Sequence, residues 1–225
     1  MRECHRCAPC LSVRANLNWT ATVPKADAGR MFHALYGGDS VFDASKRVNG
    51  IPEAEVWRFD QQHLIEQVKS IVTVADDKLT QWWPWWPYSS ARRKNLDMAE
   101  QGYIYVPPFC RQTGSSCRVH IALHGCRQSA RTFATRAGYN NWAEHYKTIV
   151  VYPAIEPSTP VSEAVCQAEP VNPILDTWYF EPNPNGCWDW WGYLDPSSRE
   201  DRYLTKDGPQ IRVIERIITE VTASP

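Results

Sequence analysis

Three stretches hold residues whose types and spacing suit chemistry. The first is His124-Gly125-Cys126, an imidazole and a thiol around a glycine, directly after an alternating apolar run. An imidazole titrates near neutrality and invites assignment as a base. Its position at a strand end favours a structural hydrogen bond instead. The second is Cys4, Cys7 and Cys10 with His5, thiolates and an imidazole at a spacing that suits structural zinc. No matching second Cys-x-x-Cys follows, so disulfides or an irregular chain end are the better reading and no metal is expected. The third is aromatic: Trp82-Trp-Pro-Trp-Trp-Pro-Tyr88, and later Trp188, Trp190 and Trp191. The former is either an aromatic platform for an insoluble substrate or, preferably, a loop plugging an apolar groove. A serine nucleophile would announce itself as Gly-x-Ser-x-Gly, and the 225 residues contain no such string. Gly114-Ser115-Ser116-Cys117 is nearest, but it lies in a polar loop and reads as a turn.

The elements that must position these residues are legible from periodicity. Val119, Ile121 and Leu123 alternate with smaller or polar neighbours, which predicts a strand. Arg127 to Tyr146 reads mostly as helix with a break at Gly138. Thr148 to Tyr152 is a second, almost wholly apolar strand closed by Pro153. Strand, crossover helix and buried strand make one parallel βαβ unit, and ligands in such sheets sit beyond the carboxyl ends of the strands. His124, Gly125 and Cys126 occupy that position. Gly102 to Val106 also alternates, and the expectation is an antiparallel pair with Arg118 to Leu123 through the loop between Cys110 and Cys117. Those two cysteines are expected to form a disulfide.

Two amphipathic helices frame this unit. Asp27 to Gly37 carries Met31, Ala34 and Leu35 on one predicted face. The last element starts with Asp207 and Pro209 and places Ile211, Ile214, Ile218 and Val221 along one predicted stripe. The chain divides into an irregular segment 1–26, a helix and loop region 27–101 with the Trp/Pro insertion, and an α/β part 102–225.

Composition narrows the function classes. A net charge of −1 argues against nucleic acid or an anionic membrane surface as the main partner. Eleven Trp and 17 Pro suggest rigid loops bearing aromatic surface, as in proteins that meet sugars or apolar polymers. Eight Cys favour an oxidising compartment, whereas Met1 to Thr20 lacks the apolar core of an export signal. The simplest reconciliation is that these residues are part of a longer product. Asn18-Trp19-Thr20 satisfies the glycosylation pattern, which matters only in a secretory eukaryotic host.

Leu123-His-Gly-Cys-Arg-Gln-Ser129, Gly138-Tyr-Asn-Asn-Trp-Ala143, Val151-Tyr-Pro153, Asn183-Pro-Asn-Gly-Cys-Trp-Asp-Trp-Trp-Gly192 and Lys206-Asp-Gly-Pro-Gln210 resemble, in order, the C-terminal half of extracellular poly(3-hydroxybutyrate) depolymerases. The likeness is dense from about Gly102 to Val221. It implies a partial, circularly permuted α/β-hydrolase-like sheet with crossover helices, and a secreted carboxylic-ester hydrolase acting on polyester or small esters without a cofactor. The backbone N–H of Cys126 would be one oxyanion donor, with Gly125 letting the backbone turn. Cys126 would be tied to Cys187, Trp190 would contact substrate, Trp191 would line the cleft, and Trp188 would pack in the core. The nucleophile strand, the acid and the catalytic histidine of the family have no match here, so the resemblance implies a missing N-terminal half. His5 stands at a loosely suitable distance for that histidine, but its neighbours do not match. A non-catalytic domain binding apolar polymer or a partner through its tryptophans is the alternative of a different class. A feruloyl or acetylxylan esterase is the alternative within the same class.

Overall fold

The computed structural model describes residues 27–69, 95–157, 183, 185–194 and 202–223. The cysteine cluster at the N-terminus, Asn18, the Trp82 to Tyr88 stretch and Cys166 lie outside them.

The sheet has four strands: β1 (Val56–Asp60), β2 (Gln101–Tyr105), β3 (Arg118–Ile121) and β4 (Thr148–Tyr152), in the order β1-β2-β4-β3. β3 and β4 pair in parallel, with Arg118 opposite Thr148 and Ile121 opposite Val151, as the βαβ reading requires. The crossover contains α3 (Ala130–Arg136) and α4 (Asn140–Ala143), separated at Gly138, whose φ of +85° suits glycine and no other residue as well.

One expectation fails here. β2 does not pair with β3. It lies antiparallel to β4, with Ile104 opposite Val151, and its other edge pairs antiparallel with β1. The reason is twofold. Pro107 and Pro108, followed by a 3₁₀ turn over Pro108–Arg111, preclude a tight hairpin after β2. β4 is almost wholly buried, so both of its edges need a strand partner. The chain therefore crosses over before the Cys110–Cys117 disulfide, and β4 inserts between the two strands.

Alternation along β4 sends its side chains into two cores. Val151 and the partly buried Ile149 join Leu64, Ile65 and Val68 of α2 (62–69) and Val213, Ile214 and Ile217 of α5 (Pro209–Ala223). Val150 and Tyr152 face the other way, against Phe32 of α1 (Asp27–Tyr36), Ala134 of α3 and Trp142 of α4. The result is a sheet covered by helices on both faces, an α/β architecture.

Both outer helices are turned relative to the sequence expectation. In α1 Phe32 is fully buried, while Ala34 and Leu35 are exposed and Met31 is only partly covered. In α5 the buried stripe is Gln210, Val213, Ile214 and Ile217, whereas Ile211 and Ile218 are more than a third exposed. Apolar residues on adjacent stripes make both rotations plausible in isolation, and contact with the sheet selects one.

Candidate active site

The site grows from the end of β3. Ala122 continues the pairing, its N–H donating to the carbonyl of Val151 at 2.8 Å, and His124 follows as a nearly fully buried side chain. The imidazole is held on both nitrogens. Nδ1 lies 3.0 Å from the carbonyl oxygen of Gly125, and Nε2 accepts the N–H of Ile155 at 3.1 Å. Only the neutral tautomer protonated on Nδ1 satisfies both contacts. Burial lowers the His124 pKa, and the hydrogen bond to Gly125 opposes that effect. With its acceptor nitrogen occupied, His124 is a brace for the strand end.

Beyond His124 the chain turns sharply. The N–H of Gln128 reaches the carbonyl of Gly125 at 3.3 Å, which makes Cys126 and Arg127 the central pair of a four-residue turn. The left-handed residue is Arg127, at φ +60°, and not Gly125. A non-glycine residue there costs on the order of 1–2 kcal/mol. Gly125 serves by its smallness instead. Its N–H donates to Oε1 of Gln128 at 2.7 Å, and a Cβ on it would sit 3.3 Å from that oxygen.

Two of three successive amides in the turn are thus spoken for: Gly125 by the Gln128 side chain, and Arg127 by the carbonyl of Asn185 at 2.7 Å. The amide of Cys126 has no hydrogen-bond partner among the described residues. Its sulfur is bonded to Cys187, so the thiol is unavailable as a nucleophile or ligand. The disulfide expected from the resemblance is present.

The opposing segment, 183–194, is built around polar groups. Asn183 is fully buried; its Oδ1 accepts the N–H of Cys187 at 2.7 Å and its Nδ2 donates to the Cys187 carbonyl at 2.9 Å. Trp188 is buried, and its indole N–H donates to the carbonyl of His124 at 3.0 Å, joining the segment to the end of β3. Asp189 closes the following loop. Its carboxylate accepts the amides of Gly192 at 2.7 Å, Tyr193 at 2.9 Å and Leu194 at 3.3 Å. Burial raises its pKa, and the four amides around it, including that of Trp191, pull the other way. Gln210 of α5 accepts the N–H of Asp189 and donates to the carbonyl of Leu96. That loop holds Trp190 and Trp191 out to solvent, 61% and 49% exposed, with Trp191 tilted on Tyr193 at 4.9 Å between ring centroids.

Nothing in the sequence marks Asn183, Asp189 or Gln210 for a role, although each lies in a segment that resembles the family. Their signal, a polar residue bounded by aromatic or apolar ones, is too common to single out. Ser115 is in a turn, its N–H on the Gln112 carbonyl and its hydroxyl on the Cys110 carbonyl. Among the described residues no group of three His, Cys, Asp or Glu side chains is gathered to hold a metal, and no helix is long and apolar enough to cross a membrane.

These features define an α/β protein with a backbone-presenting loop at the carboxyl end of a parallel strand pair. The chain is related in sequence to the poly(3-hydroxybutyrate) depolymerases. It is 31% identical over 134 residues to the poly(3-hydroxybutyrate) depolymerase of Delftia acidovorans, an overlap that covers 57% of this chain and 21% of that one. It is 38% identical over 102 residues to the polyhydroxybutyrate depolymerase of Talaromyces funiculosus, covering 43% of this chain and 26% of that one. The chain therefore spans about a quarter or less of the length of the curated relatives it matches. Among solved structures it is similar to a PHB depolymerase variant complexed with an R3HB trimer, at 24% identity and a TM-score of 0.48, covering 84% of this chain and 45% of that one. It is similar also to the PHB depolymerase from Penicillium funiculosum, at 23% identity and a TM-score of 0.45, covering 84% and 46%. No protein-family model matches the chain.

Proposed function

We propose that this chain carries the oxyanion-donating loop and the aromatic wall of a carboxylic-ester hydrolase site for poly(3-hydroxybutyrate) or related hydroxyalkanoate esters. The observation that carries this reading is the Cys126 amide, without a partner among the described residues between two amides that are both engaged. Ester cleavage passes through a tetrahedral intermediate whose carbonyl oxygen gains a full negative charge. One preorganised N–H aimed at that oxygen is worth roughly 3 kcal/mol in the transition state. The Cys126–Cys187 bond and the Trp188 to His124 hydrogen bond support preorganisation, because they hold the loop before substrate arrives. Trp190 and Gly125 would line the approach to the amide, and Trp191 would extend the aromatic surface.

On this reading the attacking hydroxyl comes from a polypeptide segment other than the ones described. β3 is the edge strand of the sheet, and its Val119 and Ile121 amides face away from β4. A further parallel strand along that edge would end beside Cys126. The two disulfides support an oxidising, extracellular setting.

A non-catalytic polymer-binding role is the second reading, favoured by two exposed tryptophans in a chain without Gly-x-Ser-x-Gly. Assays of granule binding and of chromogenic short-chain ester hydrolysis test both. The ester-site reading expects binding to poly(3-hydroxybutyrate) granules that is lost in Trp190→Ala, no turnover by these 225 residues alone, and turnover on adding a strand–turn–helix segment bearing the serine motif. Organophosphate-sensitive turnover by the chain alone would reveal a nucleophile within it and overturn the division of labour. Binding that never becomes turnover supports the second reading, and failure to bind granules sinks both.

A further inference from the structure

Arg127 is the one residue of the Cys126 turn that local backbone chemistry does not explain. Its φ of +60° belongs to the left-handed region, where glycine is the default and an arginine is strained. The strain is held in place by the Asn185 carbonyl on its N–H and by the disulfide of its neighbour. Leu96, Asp97 and Lys147 also have positive φ, but Arg127 alone places an exposed cationic side chain one residue from the Cys126 amide.

Three other arginines of this molecule are held in ion pairs. Arg111 pairs with Glu55, Arg131 with Glu53, and Arg212 with Asp207. The guanidinium of Arg127 is exposed and has no ion pair among the described residues. It is permanently cationic and offers a planar fork of donors, which matches a carboxylate in bidentate geometry.

We infer that Arg127 is a substrate-binding residue that takes the terminal carboxylate of a short hydroxy-acid oligomer whose ester carbonyl lies at the Cys126 amide. The assignment rests on the ester-site reading of that amide and adds a preference to it. The interior of a polyester chain has no charge, whereas each released oligomer acid ends in one. Arg127 therefore selects short acids over capped esters of equal length.

The test is titration of the chain with (R)-3-hydroxybutyrate trimer, as the free acid and as its methyl ester, followed by tryptophan fluorescence and by the chemical shift of the Cys126 amide. The acid is expected to bind about tenfold more tightly than the methyl ester at low salt, with the gap narrowing as salt rises. Arg127→Gly removes the fork while relaxing the backbone, so it cannot fail through added strain. In it the acid should fall to the affinity of the ester, and Arg127→Lys should keep part of the difference. Equal affinities in the wild type, or a preference that survives Arg127→Gly, overturn the inference and leave the ester site standing. Binding of neither ligand overturns the ester site itself and this inference with it.

Discussion

The main-chain N–H of Ile155 donates to Nε2 of His124 at 3.1 Å, so the acceptor nitrogen of this ring is already occupied. The imidazole joins the segment after β4 to the end of β3, while its own carbonyl receives Trp188. Replacing it strands a buried amide. His124→Ala should cost about 2–4 kcal/mol in urea unfolding, through lost packing and the unpaired Ile155 N–H.

The same ring predicts a pH dependence. Burial holds the His124 pKa below its ordinary value of 6.5, and burial lowers that of His120 as well. The unfolded chain then binds protons that the folded chain refuses. Stability contributed by these neutral rings is complete above about pH 6.5 and is lost as pH falls from there toward the depressed folded values. Thermal unfolding between pH 7.5 and 5 should show this decline, with a shallower slope in His124→Gln. An unchanged slope in that variant would exclude His124 as its source.

The two disulfides should differ in weight. Cys110 and Cys117 are seven residues apart, and Cys126 and Cys187 are 61 apart. Loop-closure entropy assigns about 2.5 kcal/mol to the first and about 4 kcal/mol to the second. Denaturation of the paired alanine variants should reproduce that order. Loss of the longer bridge should also broaden the backbone amide resonance at position 126, which loss of the shorter one should not.

Gly29 lets α1 approach Trp142 of α4 closely. A Cβ on it would lie 2.3 Å from the Trp142 ring, which is itself 1% exposed. Gly29→Ala should destabilise by about 1–3 kcal/mol through overpacking, although alanine is the better helix former. A stabilised variant would mean that α1 sits elsewhere.

Gln210 should behave as a hub despite its neutral side chain. It is 3% exposed and bonds Asp189, Leu96 and the Tyr193 hydroxyl. Gln210→Leu is expected to cost about 1–3 kcal/mol, because the buried Leu96 carbonyl and the part-buried Asp189 N–H lose their partner, while the Tyr193 hydroxyl keeps Asn183 and the Cys187 carbonyl. Granule binding should weaken with it, because the Trp190 loop loses its anchor. Gln210→Ala with full stability would refute the network's role.

Much of this molecule is legible in its sequence. The βαβ unit followed from period, because β3 and β4 alternate or run apolar and the intervening helices break at a glycine. The Cys110–Cys117 bond was expected from two cysteines flanking a short loop, and the Cys126–Cys187 bond only from the resemblance of Leu123 to Ser129 and Asn183 to Gly192 to one family. A hydrogen bond at His124 is expected from its place at a strand end, and its two ring nitrogens meet Gly125 and Ile155.

What the tertiary structure alone decided was neighbourhood. Gly102 to Tyr105 alternates whichever strand it joins, and only the double-sided burial of β4 sets the order β1-β2-β4-β3. The apolar residues of α5 allow two adjacent stripes, and the sheet beneath chooses Val213, Ile214 and Ile217. Asn183, Asp189 and Gln210 become buried connectors only because distant segments close over them. Periodicity is a property of consecutive residues, set by local backbone geometry. Which surfaces meet is settled by the pairing and burial of groups far apart in the chain, and that no local pattern encodes.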